Sequence, residues 1–283
     1  MGFLGDLFGK KKKDPEKNNK TTIPEDGSNS REAKDRSGTF VGFVLLREAR
    51  WDKAETFRLL EEKWHITPDE TGEDQEKEED NMAVFWVKGT MVAISLMEAP
   101  VPNGEAEHYA AANFLWREAV EVTKTHTAHI LVSVLGNAGN PVEAGKLYTA
   151  VTASCMEQPE VLGIYTSGTV LAPDHYLRVA EDMKNGDWPV MAWVYVGIYR
   201  GKEGVCGYTY GLTSFGRNEM EILDSYHEPS DIFEFLYDLC AYLLNADVYI
   251  RDGETVGHSA EEKIPDTCSE AVSQEGMTLK KQY

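Results

Sequence analysis

The order of short apolar segments constrains the fold of this chain more than any other feature of its sequence. Strand-like runs, rich in β-branched and aromatic residues, alternate with segments in which apolar residues recur every three or four positions, as on one face of a helix. Up to residue 138 the predicted order is βαββαβ: strand 39–46, helix 51–65, two strands within 82–97 joined by a turn at Lys88–Gly89, helix 104–125 and strand 128–135.

A connecting helix follows, for which Asn140 is a suitable N-cap and Pro141 a suitable first residue. The order then repeats with one additional short strand: strand 161–171, helix 174–186, strands 190–200, 205–215 and 219–223, a helix carrying Ile232, Leu236, Leu239 and Leu243, and strand 247–251. Each unit has the element order of a ferredoxin-like split βαβ fold. We therefore expect an α+β protein in which two successive βαββαβ units form one pseudo-duplicated globular protein.

These elements divide the chain of 283 residues into five parts. They are a basic N-terminal tail and disordered linker (1–38), a first βαββαβ unit (39–138), the connecting helix (139–158), a second βαββαβ unit (159–264) and a C-terminal tail (265–283).

The net charge of −20 restricts the classes of partner. Affinity for nucleic acid comes mainly from lysine and arginine contacts with phosphate, so this composition excludes a general nucleic-acid binder. An acidic surface favours contact with a basic protein partner instead.

Four widely spaced cysteines, Cys155, Cys206, Cys240 and Cys268, indicate free thiols in a reducing compartment, and no Cys-x-x-Cys pair is present. We expect a cytoplasmic protein, because the sequence shows neither a signal peptide nor an apolar run of about 20 residues.

The N-terminus combines apolar and basic residues. Phe3, Leu4, Leu7 and Phe8 fit helical spacing, and four lysines follow directly at positions 10–13. Segment Phe3–Lys13 could contact a membrane surface, but the preferred interpretation is a solubilising tail.

The motif DGETVG at residues 252–257 has two interpretations. It matches a calcium loop or a phosphate loop poorly, so a structural turn at Asp252–Gly253 is preferred. Alternatively, an enzyme or small-ligand receptor could have its site between the two halves, built from a polar cluster of Arg217, Glu219, Asp252, Glu254 and His258, with His175 as a further candidate. No catalytic motif requires this cluster, and we expect no metal and no cofactor.

Two other motifs have structural interpretations. His126 and His129 form an H-x-x-H pair without an obvious third ligand, so structural histidines are preferred to a metal site.

The apolar strands of the second unit carry an aromatic face. We expect this face to pack between the two halves or against a protein partner. Its residues are Trp193, Tyr195, Tyr199, Tyr208 and Tyr210.

Several short motifs resemble the bacterial family catalogued as domain of unknown function 4261. They are DGETVG followed by HSAEEKIP (252–265), VAISLMEAPVP (92–102), HTAHILVSVLG (126–136), GTVLAP (168–173) and YGLTSFGRNEMEI (210–222). The resemblance covers roughly residues 39–264 and implies a bacterial, cytoplasmic protein, but no activity and no catalytic residues. The charge, the lack of a catalytic motif and the analogy with many small acidic bacterial proteins of unassigned function lead us to expect a non-enzymatic protein-binding module. An immunity or antitoxin-like protein that neutralises a basic toxin is one version.

Overall fold

The computed structural model describes residues 37–69, 80–136, 140–256 and 264–283. The segment Phe3–Lys13 and the candidate residue His258 lie outside the described residues. The helices and strands of the described residues form two six-stranded sheets with helices between and around them, which confirms the mixed α+β class.

Sheet 1 is antiparallel throughout and has the strand order β2-β3-β4-β1-β5-β6. Lys88 and Gly89 both have positive φ, as expected for the tight hairpin between β2 and β3. The strands are β1 (Thr39–Leu46), β2 (Met82–Val87), β3 (Thr90–Met97), β4 (Ala128–Leu135), β5 (Val161–Thr166) and β6 (Thr169–Leu171).

Sheet 2 has the order β10-β11-β12-β9-β8-β7, and its one parallel pair among the described strands joins β12 to β9. Residues 265–283, which the sequence analysis assigns to a C-terminal tail, supply most of β11 and all of β12. The strands are β7 (Tyr195–Arg200), β8 (Val205–Tyr210), β9 (Glu219–Ser225), β10 (Thr255–Val256), β11 (Ile264–Glu270) and β12 (Met277–Lys281).

The strand order does not confirm a ferredoxin-like duplication. In a split βαβ unit the two strands joined by the first helix run parallel, with another strand between them. Here β1 and β2 run in opposite directions, because three antiparallel pairings separate them. Strands β5 and β6, which the boundary at residue 159 places in the second unit, pair within sheet 1.

The helices also differ in places from the sequence prediction. The helix predicted over 104–125 is interrupted, because the Asn113 side chain accepts a hydrogen bond from the Leu115 backbone N–H and donates one to the Val170 carbonyl. Residues 247–251 do not form the predicted strand. The described α-helices are α1 (Lys53–Trp64), α2 (Glu105–Ala110), α3 (Ala119–Thr123), α4 (Pro141–Met156), α5 (Pro173–Asp182), α6 (Val190–Trp193) and α7 (Pro229–Asn245).

The connecting helix α4 lies in the centre of the core. Asn140 caps it by accepting hydrogen bonds from the Val142 and Glu143 backbone N–H groups, as predicted. One side of α4 packs on β1 and β4, while Gly145 on another side lies against the rings of Trp193 and Phe215. One cluster of buried residues, drawn from both sheets, therefore forms a continuous core around this helix. A second, smaller cluster joins Leu45, Tyr165 and Val170 of sheet 1 to Ala106 of α2 and Ala119 of α3.

Candidate functional site

The described part of the DGETVG motif, residues 252–256, forms a turn followed by β10 at the end of sheet 2. Gly253 has a φ of 78°, and its backbone N–H donates to the Asp266 carbonyl at 2.9 Å. Asp252 accepts a hydrogen bond from the Cys268 N–H at 2.8 Å, and Glu254 accepts one from the Arg251 N–H at 2.9 Å. Both carboxylates thus bind backbone groups of their own chain.

Arg217 is buried and holds the loop that follows α7. Its guanidinium donates to the Val248 carbonyl (2.8 Å), the Phe215 carbonyl (2.9 Å) and the Asp247 carboxylate (2.6 Å). The same group stacks on the Tyr249 ring, with 3.4 Å between the guanidinium carbon and the ring centroid. These contacts explain why an arginine side chain is buried at position 217.

Glu219 is buried and holds the turn between β8 and β9. Its two oxygens accept hydrogen bonds from the Thr209 hydroxyl (2.8 Å) and from the backbone N–H groups of Gly211 (2.8 Å) and Thr213 (3.1 Å). Burial raises the pKa of Glu219, and these hydrogen bonds only partly oppose it. In the described part of the chain, no hydrogen bond or ion pair joins any two of Arg217, Glu219, Asp252 and Glu254.

Sequence reasoning missed two acid–lysine pairs of sheet 2. Asp266 on β11 and Lys281 on β12 form an ion pair whose side chains are both completely buried. Glu221 on β9 pairs with Lys280 and accepts a hydrogen bond from the Ser273 N–H at 2.7 Å. Burial would raise the pKa of Glu221, but these partners lower it overall.

The two histidines of the H-x-x-H motif bind backbone groups. His126 accepts a hydrogen bond from the Val101 N–H at 2.9 Å, and His129 lies 2.8 Å from the Ala99 carbonyl. Burial lowers the pKa of His129 and that of His175. No group of three or more His, Cys, Asp or Glu side chains suited to a metal ion occurs among the residues that the structure describes.

The candidate aromatic face is largely covered by the chain itself. Tyr195, Tyr199 and Tyr208 form a cluster with centroid distances of 6.0 and 6.2 Å, and the Tyr195 hydroxyl donates to the Ala112 carbonyl at 2.6 Å. Tyr199 contacts Ser273, while Tyr210 is 40% exposed.

The secondary structure around Trp193 differs from the strand predicted over 190–200. Trp193 lies in the helical turn α6 rather than in a strand, and it is buried, with its indole N–H donating to the Gly145 carbonyl and the Thr149 hydroxyl. The tryptophan therefore belongs to the core and not to an open aromatic surface.

A cleft opens between the segment 111–118 and helix α7. The cleft is shallow, because its volume of about 20 Å³ is enough for a single water molecule. The ring of Phe233 meets that of Phe114 edge-on at 5.7 Å, and Phe114 and Leu115 are each 49% exposed. The lining is mainly apolar and comes from both sheets and from α7, including Leu115, Leu171, Met191, Val194, Phe233 and Tyr237.

Helix α7, which supplies Phe233 and Tyr237 to the cleft, also carries exposed carboxylates. Asp231, Glu234 and Asp238 are exposed and follow each other at spacings of three and four residues, so they form one stripe along the helix. Phe233 and Tyr237 flank the stripe, and α7 contains no lysine, arginine or histidine. Burial raises the pKa of Tyr237, with further contributions from Asp238 and Asp187. We call this cleft and its stripe the acid-rimmed cleft.

The described residues contain no helix with the length and apolar character required to cross a bilayer.

Comparison with known proteins identifies one family. Residues 208–281 match the family model described as "Domain of unknown function (DUF4261)", which confirms the suspected resemblance over β8 to β12. No curated protein and no solved structure is significantly similar to the chain.

Proposed function

We propose that this chain, whose residues 208–281 belong to the DUF4261 family, is a non-enzymatic module that binds a basic protein partner through the acid-rimmed cleft. An immunity or antitoxin-like protein that neutralises a basic toxin is one concrete form of this proposal. The free cysteines favour a cytoplasmic location.

The observation that carries the proposal is the position of exposed apolar side chains beside unpaired negative charge. Exposed neighbouring aromatic and aliphatic residues are typical of protein-binding surfaces. Phe114 and Leu115 are exposed at the cleft, and no ion pair engages Asp231, Glu234 or Asp238 in the described part of the chain. A partner with an apolar anchor flanked by lysine or arginine would match both features.

The candidate polar cluster does not favour an enzyme. Arg217, Glu219, Asp252 and Glu254 each bind groups of their own chain, and Arg217 and Glu219 are buried. A general acid or base must reach a substrate proton within hydrogen-bond distance. These side chains are instead committed to the turns of sheet 2.

A capture experiment with charge-reversed variants tests the proposal. The full chain is used as bait in an extract of its native host at moderate salt, beside a variant carrying Glu234→Lys and Asp238→Lys. We expect the wild type to retain a basic protein in stoichiometric amount and the variant to lose it, because like charges across an interface are repulsive.

A matched control reverses two exposed charges outside the cleft, with Glu48→Lys and Glu61→Lys. This control should retain the partner. Absence of a stoichiometric basic protein under all conditions, or equal retention by both variants, would contradict the proposal.

A further inference from the structure

We propose that the N-terminal segment Phe3–Lys13 of this same chain docks in the acid-rimmed cleft and competes there with the partner. The competition rests on the proposed function, whereas docking of the segment can be tested without any partner. The N-terminal segment is therefore an intramolecular ligand of the cleft.

Charge complementarity is the first argument. Residues 1–20 contain six lysines and three acids, a net charge of +3, so the remaining residues carry −23. Lysines 10–13 form a continuous run, whereas the exposed side of α7 presents Asp231, Glu234 and Asp238 without a basic residue on that helix. Attraction between these two groups of charges favours their association.

The order of residue types is the second argument. Phe3, Leu4, Leu7 and Phe8 precede the lysines directly. The cleft has the same arrangement, because its apolar walls at Phe233 and Tyr237 adjoin the carboxylate stripe of α7. Apolar side chains of the segment would thus pack against the exposed Phe114 and Leu115 at the cleft while the lysines reach the carboxylates.

The path of the chain allows this contact. The described chain begins at Ser37 beside Gly216, and the Gly38 N–H donates to the Ser214 carbonyl at 2.8 Å. The turn that contains Ser214 starts at Gly211, which lies against Trp193 and Val194, and Val194 lines the cleft.

The chain between Lys13 and Ser37 is long enough for the segment to reach the cleft. The 23 residues from 14 to 36 can span at most about 80 Å. A folded chain of this size has a radius of gyration of about 19 Å. Segment Phe3–Lys13 can therefore reach the cleft.

The cleft is also formed in advance by bonds within the domain. Asn113 ties the segment 111–118 to the Val170 carbonyl at 2.5 Å, and Tyr195 ties it to the Ala112 carbonyl. Docking would require little rearrangement of these walls, which lowers the entropic cost of binding.

Photo-crosslinking from position 8 of the full chain tests the proposal. Phe8 is replaced by p-benzoylphenylalanine, the purified protein is irradiated, and crosslinked peptides are mapped by mass spectrometry. We expect crosslinks within one molecule to residues 113–116 and 233–237, with a yield independent of protein concentration. Crosslinks only between two molecules, crosslinks scattered over other surfaces, or no crosslinks would overturn the proposal.

Charge reversal provides the matched control. In the photo-reactive chain, Glu234→Lys with Asp238→Lys should lower the yield of these crosslinks about tenfold, as the loss of two weak charge pairs implies. Glu48→Lys with Glu61→Lys should leave the yield unchanged. An unchanged yield in the first variant would overturn the assignment to the acid-rimmed cleft.

Anionic lipid vesicles distinguish the membrane alternative. If the segment binds the cleft, the crosslinks persist when vesicles of phosphatidylserine and phosphatidylcholine are added. Their replacement by crosslinks to lipid would show a membrane anchor and overturn the proposal. Failure of docking would leave the partner-capture result intact, so the two proposals can fail separately.

Discussion

The hydroxyl of Tyr148 on α4 lies directly over the backbone of Gly42 on β1. A Cβ atom at position 42 would be only 2.0 Å from this oxygen, which in turn hydrogen-bonds the Thr166 hydroxyl at 2.8 Å. The absence of a side chain at Gly42 thus permits close contact between the central helix and sheet 1.

Gly42→Ala should destabilise the protein by about 1–3 kcal/mol, since overpacking forces side chains and backbone to shift. Chemical denaturation measures the free energy of unfolding. In the Tyr148→Phe background the same substitution should cost less, because the nearest clashing atom is then missing. An equal cost in both backgrounds would show that Tyr148 does not impose the requirement for glycine.

Glu219→Gln should change how stability depends on pH. The folded protein raises the pKa of Glu219, so protonation of this residue stabilises the folded state. This contribution to the free energy of unfolding is fully present below the ordinary pKa of 4.5. That contribution is lost as the pH rises through the higher pKa of the folded state. The free energy of unfolding of the Gln variant, relative to wild type, should therefore increase above pH 4.5.

Denaturation series between pH 4.5 and 8 would measure this difference. Glu234→Gln on the exposed side of α7 serves as the control for the removal of one carboxylate elsewhere on the chain. A constant difference for Glu219→Gln would contradict the prediction.

Lys281→Met should destabilise the protein by about 3–5 kcal/mol, because it leaves the buried Asp266 carboxylate without its partner. The double variant Asp266→Leu with Lys281→Met removes both charges and should recover much of this loss. A double-mutant cycle monitored by chemical denaturation gives the coupling energy. Additive losses would contradict a coupled pair.

The thiols should differ in reactivity. Cys155, Cys206 and Cys240 are buried, and burial raises the pKa of Cys155 to about 12, whereas Cys268 is partly exposed. A thiol-specific reagent at pH 8 should therefore modify Cys268 first in the native protein and all four cysteines after denaturation. Rapid labelling of Cys155, located by peptide mapping, would disagree with the fold.

Local sequence signals predicted the elements that local contacts determine. The hairpin at Lys88–Gly89 needs two residues with positive φ, and the start of α4 needs the Asn140 cap, so both were predicted correctly. The break of the helix predicted over 104–125 depends on a hydrogen bond from Asn113 to Val170, 57 residues later. Periodicity within one segment does not contain this information.

The strands after residue 264 were missed for a related reason. In β11, Asp266 occupies a buried position that a sequence pattern assigns to an apolar residue, and its partner Lys281 lies on another strand. The turn at Asp252–Gly253 was predicted, but its hydrogen bonds to β11 became visible only in the fold. Polar residues that depend on distant partners therefore limited the prediction of both the fold and the site.

The position of β12 between β11 and β9 affects how the protein is made on the ribosome. Because β12 contains residues 277–281, sheet 2 is complete only after these residues have been synthesised. Until then β9 presents an open edge to which strands of other chains can add. Nascent chains are thus exposed to misassembly while the residues between β9 and β12 are being synthesised, after sheet 1 has received all its strands.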